Sequence, residues 1–167
     1  MALLHSSEIR TRTRVTAHQL ASGVPFLPMS RDERFGTAWV LFAVALALHV
    51  IDEATHDFLS VYNPNALLIR QRYGIPVPIF TFEAWIISLT AAILLLLCLS
   101  PLAFRGDRWQ RMVAAPLAIV VGLFNASLHI GSSIYFHRFM PGVYSAPILL
   151  IAAIFLLRAT TPTSRTV

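Results

Sequence analysis

Four side chains that can bind a metal or transfer a proton lie close together in this sequence. His49, Asp52, Glu53 and His56 are spaced so that three, four and seven positions separate them. Residues at these separations share one face of an α-helix. Imidazole and carboxylate groups together suit zinc, iron or manganese, and the same groups act as general acids and bases. The spacing therefore predicts one reactive helix face.

A second set of polar residues lies further along the chain. Asn125 and His129 are four positions apart, and they continue a stripe of small residues at Ala118 and Gly122. Small residues at this spacing are typical of close helix contacts in membranes. We therefore expect His129 to point into a helical bundle. Glu83 lies in the second turn of another apolar segment, and it is the remaining acidic candidate.

The segments that carry these residues are those of a membrane protein. The chain has 167 residues, of which 56% are hydrophobic and only 13% charged. Crossing a hydrocarbon core of about 30 Å takes about 20 helical residues. Segments 35–57, 79–99, 112–137 and 141–157 are the candidates. The predicted fold is an all-α integral membrane bundle of four transmembrane helices, with loops at 58–77 and 100–111.

The basic residues predict the orientation of this bundle in the lipid bilayer. All thirteen are Arg; ten fall on the side of both termini and three on the other. The positive-inside rule then places both termini in the cytoplasm. We expect a disordered basic tail over 1–34, a transmembrane domain over 35–158 and a short tail over 159–167. Arg residues that flank apolar runs favour lipid over nucleic acid as the partner.

Alternating helix direction would gather the polar residues in the outward half of the bundle, toward the exterior or periplasm. Ionisable groups at membrane depth normally face a protein interior and mark function. The leading hypothesis is a zinc, iron or manganese site. Its predicted ligands are His49, Glu53, Glu83 and His129; its predicted catalytic carboxylates are Glu53, Glu83 and Asp52; and its predicted supporting residues are His56, Asn125 and Tyr144.

Three elements of the sequence resemble the HXXEE family of integral membrane proteins. They are His49-Val-Ile-Asp-Glu53, Asn125-Ala-Ser-Leu-His129 and Phe139-Met-Pro-Gly142, and the resemblance covers about residues 35–157. Asp52 stands where the family motif has its first Glu, which keeps the charge. Phe139 stands where the family has Tyr, which removes a hydroxyl group. The family's function is uncharacterised, so the resemblance implies a fold and no reaction.

Three classes of function remain open at the level of sequence. The first is a metal-dependent enzyme that hydrolyses, or with iron oxidises, a hydrophobic or lipid-like small molecule. The second is a metal-free acid/base isomerase or cyclase of an isoprenoid or sterol-like substrate. The third is a non-enzymatic membrane subunit or a proton or ion conduit. A conduit needs polar groups across the whole bilayer, and the inner halves of these helices offer almost none.

Overall fold

The structure is a computed structural model that describes residues 29–161, and in this range it is entirely helical apart from turns and connecting segments. Seven α-helices and one π-helical segment follow one another along the described chain. They are α1 (Arg31–Thr55), α2 (Phe58–Tyr73), α3 (Phe82–Cys98), α4 (Ser100–Phe104), α5 (Arg108–Leu117), the π segment (Ala118–Phe124), α6 (Asn125–Tyr135) and α7 (Ala146–Thr160).

Helix α1 is the central element, and it packs against α3, α4 and α7. It begins at a capping box, in which the Ser30 side chain accepts from the Glu33 N–H and the Glu33 carboxylate accepts from the Ser30 N–H. The aromatic side chains of Phe35, Trp39 and Phe42 are fully buried. Toward the other end of α1, His49, Asp52 and Glu53 are also buried.

Residues 108–135 form one continuous helix in which the middle turns are π-helical. Gly122 in the π segment lies where any added Cβ would overlap the side chain of Ala153 on α7. The absent side chain thus allows close contact between the two helices, as the small-residue stripe predicted. π-Helical turns often occur at functional sites. This one immediately precedes Asn125 and His129.

Three helical segments in the described range are long and apolar enough to cross a membrane: Arg31–Thr55, Phe82–Phe104 and Arg108–Tyr135. The fourth apolar helix, Ala146–Thr160, has 15 residues and is too short to count among them. At 1.5 Å per residue it extends about 22 Å. The predicted count of four transmembrane helices is therefore not confirmed, although the all-α class is.

Several predicted boundaries differ from those in the structure. Residues 58–73 form helix α2 where a loop was predicted, and α4 and the start of α5 occupy most of the predicted 100–111 loop. The loop was predicted because segment 58–73 has low hydropathy. Side-chain hydrogen bonds from Tyr62 and Asn63 to the carbonyls of Pro78 and Phe80 hold helix α2 against the following segment. Most of each expected tail lies outside the described residues; within the described part, 31–34 and 159–160 are helical.

Arg111 joins three helices at the end of the bundle opposite His49. Its guanidinium donates to the Asp32 carboxylate at 2.6 Å and to the Ala159 carbonyl at 3.1 Å. It also stacks over the Phe35 ring, with its Cζ atom 4.4 Å from the ring centroid. The side chain is 13% exposed. Arg111 therefore holds the start of α1, helix α5 and the end of α7 together.

Candidate metal centre

His49, Glu53 and His129 converge on one point in the bundle. The Glu53 Oε1 atom lies 3.0 Å from His129 Nε2 and 3.6 Å from His49 Nε2. His49 is 1% exposed, Glu53 5% and His129 7%. Their ligand atoms all lie within 4.8 Å of one another. Two helices, α1 and α6, thus bring two imidazoles and one carboxylate into a buried cluster, which we call the His/Glu centre.

The outer nitrogen of each imidazole is held by a second group. His129 Nδ1 donates to the carbonyl of Pro141. His49 Nδ1 lies 2.9 Å from Ser145 Oγ, and that hydroxyl donates to the Asp52 carboxylate at 2.7 Å. A hydroxyl that donates to Asp52 accepts from His49 Nδ1–H. His129 Nε2 therefore faces Glu53 without a proton, and His49 Nε2 carries a lone pair that accepts from the Asn125 amide at 3.0 Å. Supporting hydrogen bonds to Nδ1 orient metal-binding histidines in this way.

Gly142 makes room for both rings. Its φ angle is +83°, in the left-handed region that favours glycine. A Cβ atom at this position would lie 2.8 Å from His129 Cε1 and 3.0 Å from His49 Cε1. The turn before α7 therefore packs its bare backbone against the two imidazoles, while the neighbouring Pro141 carbonyl orients one of them. This gives the Pro-Gly element a physical role at the centre.

The spacing of the ligand atoms suits a small divalent cation. Metal–ligand bonds of about 2.0–2.1 Å at a tetrahedral angle separate neighbouring ligand atoms by about 3.3 Å. The two Glu53 contacts, 3.0 and 3.6 Å, lie on either side of that value. Two imidazoles and one carboxylate form a donor set that zinc, iron and manganese accept. The three ligand atoms as a set lie within 4.8 Å of one another, so the group could hold a metal ion once the side chains move closer together.

The structure places the other α1 carboxylate beside the centre. Asp52 accepts through Oδ2 from both the N–H and the Oγ–H of Ser145, at 2.8 and 2.7 Å. His56 Nδ1 lies 2.8 Å from Asp52 Oδ1, and the His56 side chain is 47% exposed. Asp52 thus fixes the turn that precedes α7, and its contact with His49 runs through Ser145.

The predicted supporting residues take different positions. The Asn125 Nδ2 atom lies 3.0 Å from His49 Nε2, so this amide contacts the centre directly. Tyr144 is exposed, and its ring stacks on Phe139 and packs against His56. Tyr144 therefore contributes to the outer surface near the centre and makes no hydrogen bond to it among the described residues.

Glu83 lies outside the His/Glu centre. It occupies the first turn of α3, after the cap at Thr81, and its side chain is exposed. A carboxylate at a helix N-terminus is stabilised by the helix dipole without any cation. The structure therefore brings together three of the four predicted ligands, namely His49, Glu53 and His129.

A cavity of about 440 Å³ borders the centre on the side of α2. Its walls are mostly apolar and aromatic, and His129 and Asn125 line both the cavity and the centre. Phe58 also lines the cavity, with its ring centroid 5.7 Å from that of His129. The remaining walls include Tyr62, Ser132 and Phe136. A molecule in this cavity would touch the edge of a candidate ligand.

Sequence reasoning did not find Ser145 or the roles of Pro141 and Gly142. Ser145 is 7% exposed and links Asp52 to His49. A single Ser in a turn has no periodic signal that could reveal this link. The Pro-Gly pair was visible as a motif, and its place over the imidazoles follows only from the folded turn.

The sequence matches a known protein family. A family model described as a protein of unknown function with an HXXEE motif matches residues 39–156. The matched region covers more than half of the chain and includes all three residues of the His/Glu centre. No curated protein and no solved structure matches the chain.

Proposed function

This chain belongs to the HXXEE family, as its motifs predicted, and on the geometry of its site we propose that it is a membrane-embedded, metal-dependent enzyme acting on a hydrophobic or lipid-like small molecule. The observation that carries the proposal is the convergence of His49 Nε2, His129 Nε2 and Glu53 Oε1 beside an apolar cavity. Three protein ligands leave at least one coordination position open, which is typical of catalytic rather than structural metal sites.

The residues of the chain then have separate tasks. His49, Glu53 and His129 hold the ion, while Ser145 and the Pro141 carbonyl fix the orientation of the two imidazoles. A divalent ion bound there supplies Lewis-acid activation of water or of a substrate carbonyl. The surrounding apolar side chains exclude bulk water, which strengthens electrostatic interactions at the centre.

The proposed location is the membrane, with both termini in the cytoplasm and the His/Glu centre nearer the opposite side. Three long apolar helices and the Arg distribution support this placement. The turn before α7 is compatible with it, because non-helical backbone is tolerated at membrane depth only where protein buries and satisfies it. Here Ser145 N–H donates to Asp52, and the Pro141 carbonyl accepts from His129.

Elemental analysis of the purified protein tests the metal proposal. We expect about one zinc, iron or manganese ion per wild-type chain and its loss in both His49→Ala and His129→Ala. His137→Asn is the matched control, since His137 is exposed, lies outside the centre and has a positive φ angle that Asn tolerates. Wild-type protein without bound metal, even after refilling with each ion, would contradict the proposal.

A metal-free acid/base enzyme is the second candidate. It is favoured by the 3.0 Å distance between Glu53 Oε1 and His129 Nε2, at which the two groups can share one proton without any cation. Such a pair beside an apolar cavity could donate and accept protons in an isomerisation. Activity that survives complete removal of metal by a chelator but is lost in Glu53→Gln would select this candidate.

A further inference from the structure

We infer that the cavity between α2 and α6 binds a neutral single-chain amphiphile, with an uncharged polar head such as a hydroxyl or ester beside His129 and an apolar tail along the aromatic walls. This inference names the substrate class of the proposed enzyme. Only the statement that the ligand is a substrate rests on the proposed function. Binding to the cavity itself can be measured without any metal.

The walls of the cavity favour an apolar tail. Phe58, Tyr62 and Phe136 supply aromatic surface from both sides, and Leu128 and Met140 add aliphatic surface. Phe58 and Tyr62 stack on each other with their ring centroids 5.4 Å apart, so they form a continuous wall along α2. Leu128 and Phe136 are more than half exposed, so the cavity is open on one side, and its apolar walls suit a chain that lies along them.

The polar groups of the cavity favour a head without charge. They are the amides of Asn65 and Asn125, the Ser132 hydroxyl, the Tyr62 phenol and the His129 imidazole, and the lining residues of the described chain include no Arg, Asp or Glu. An anionic head would therefore meet no basic partner, and the buried Glu53 carboxylate lies just behind His129. A charge placed in an apolar site without a partner is strongly disfavoured.

The hydroxyl groups that line the cavity are already committed as donors. The Tyr62 phenol donates to the Pro78 carbonyl at 3.1 Å, and the Ser132 hydroxyl donates to the His129 carbonyl at 3.1 Å. Their oxygens remain available as acceptors. A head group with one O–H donor can thus bind the Ser132 oxygen without breaking an existing hydrogen bond, which is why an alcohol is the preferred probe.

The test uses a long-chain fatty alcohol that carries a photoreactive diazirine, added to the full-length protein in phosphatidylcholine nanodiscs. Peptide mass spectrometry should map the labelling to α2 and α6. Unlabelled dodecanol should compete at least ten times better than dodecanoate or dodecyltrimethylammonium. Competition by either charged compound that equals or exceeds that of dodecanol would overturn the inference, as would labelling confined to other helices.

Two tryptophan variants make the test specific to the cavity. Leu128→Trp fills the cavity and should reduce labelling at least tenfold, whereas Val120→Trp places the same ring on an exposed position of the same long helix, away from the cavity, and should leave labelling unchanged. Should Leu128→Trp fail to fold, Val61→Trp blocks the opposite wall. Undiminished labelling in a folded blocking variant would refute the cavity as the binding site.

The His49→Ala variant separates this inference from the proposed function. We expect it to lose metal while it keeps labelling by the fatty alcohol, because His49 does not line the cavity. Wild-type protein that binds metal but is not labelled would leave the metal proposal intact and end the inference. Wild-type protein that is labelled but holds no metal would support binding in the cavity and contradict the metal proposal.

Discussion

Replacing Gly142 with Ala should disturb both the fold and the His/Glu centre. A Cβ atom there would lie 2.8 Å from His129 Cε1 and 3.0 Å from His49 Cε1. Overpacking of this kind typically costs about 1–3 kcal/mol, and a non-glycine residue in the left-handed region costs about 1–2 kcal/mol more. We expect a total loss of about 2–5 kcal/mol in the free energy of unfolding, as the sum of these two ranges. Metal affinity should fall about 10–100-fold, as when supporting contacts are lost.

Two other glycines separate these contributions. Gly74 also has a positive φ angle, +68°, but an added Cβ would meet nothing within 4 Å. Gly131 has open space and lies within a regular helix. Apparent melting temperatures in detergent should therefore rank Gly142→Ala below Gly74→Ala, and Gly74→Ala below Gly131→Ala, whereas metal titrations should show weaker affinity in Gly142→Ala alone. Equal stability and equal metal affinity of Gly142→Ala and Gly74→Ala would refute the packing of Gly142 against the imidazoles.

Three further substitutions test other contacts. Ser145→Ala removes the hydroxyl between Asp52 and His49, and a metal titration should show affinity about 10–100-fold weaker. Arg111→Gln removes the charged hydrogen bond to Asp32; it should lower the free energy of unfolding by about 1–3 kcal/mol, seen as a lower melting temperature, without reducing metal content. Glu83→Gln should leave the metal stoichiometry unchanged in elemental analysis, because Glu83 lies outside the centre.

Control variants and contradicting outcomes accompany these three substitutions. Ser88→Ala removes an exposed hydroxyl on α3 and should not alter metal affinity. Arg105→Gln removes an exposed Arg and should change the melting temperature less than Arg111→Gln does. Full metal affinity in Ser145→Ala would show that the hydroxyl does not orient His49. Loss of metal in Glu83→Gln would show that Glu83 is a ligand after all.

Local periodicity was enough to predict the residues that share a helix face. His49 and Glu53 are four positions apart, as are Asn125 and His129, and the structure places each pair on the buried side of its helix or at its edge. The small-residue stripe also predicted correctly that His129 points into the bundle. These features depend on helical geometry, which sequence spacing expresses directly.

Features that depend on tertiary packing could not be predicted in the same way. Glu83 was expected to be a ligand because of its depth along α3, but rotation of a helix about its axis is set by packing, and α3 turns Glu83 outward. Helix α2 was missed because segment 58–73 has low hydropathy. Its tertiary contacts include a side-chain hydrogen bond to a residue 16 positions away, from Tyr62 to Pro78. The link from Asp52 through Ser145 to His49 spans more than 90 positions.

The central claim is that the two imidazoles and the Glu53 carboxylate together bind one metal ion. X-ray absorption spectroscopy of the metal-loaded protein tests this most directly, because it reports the type, number and distance of the ligands. We predict two histidine nitrogens at about 2.0–2.1 Å and at least one carboxylate oxygen at about 2.0–2.2 Å, with both histidine nitrogens missing from the spectrum of His129→Ala because that variant does not retain the ion. A metal surrounded by water oxygens alone, or a spectrum unchanged in His129→Ala, would contradict the claim.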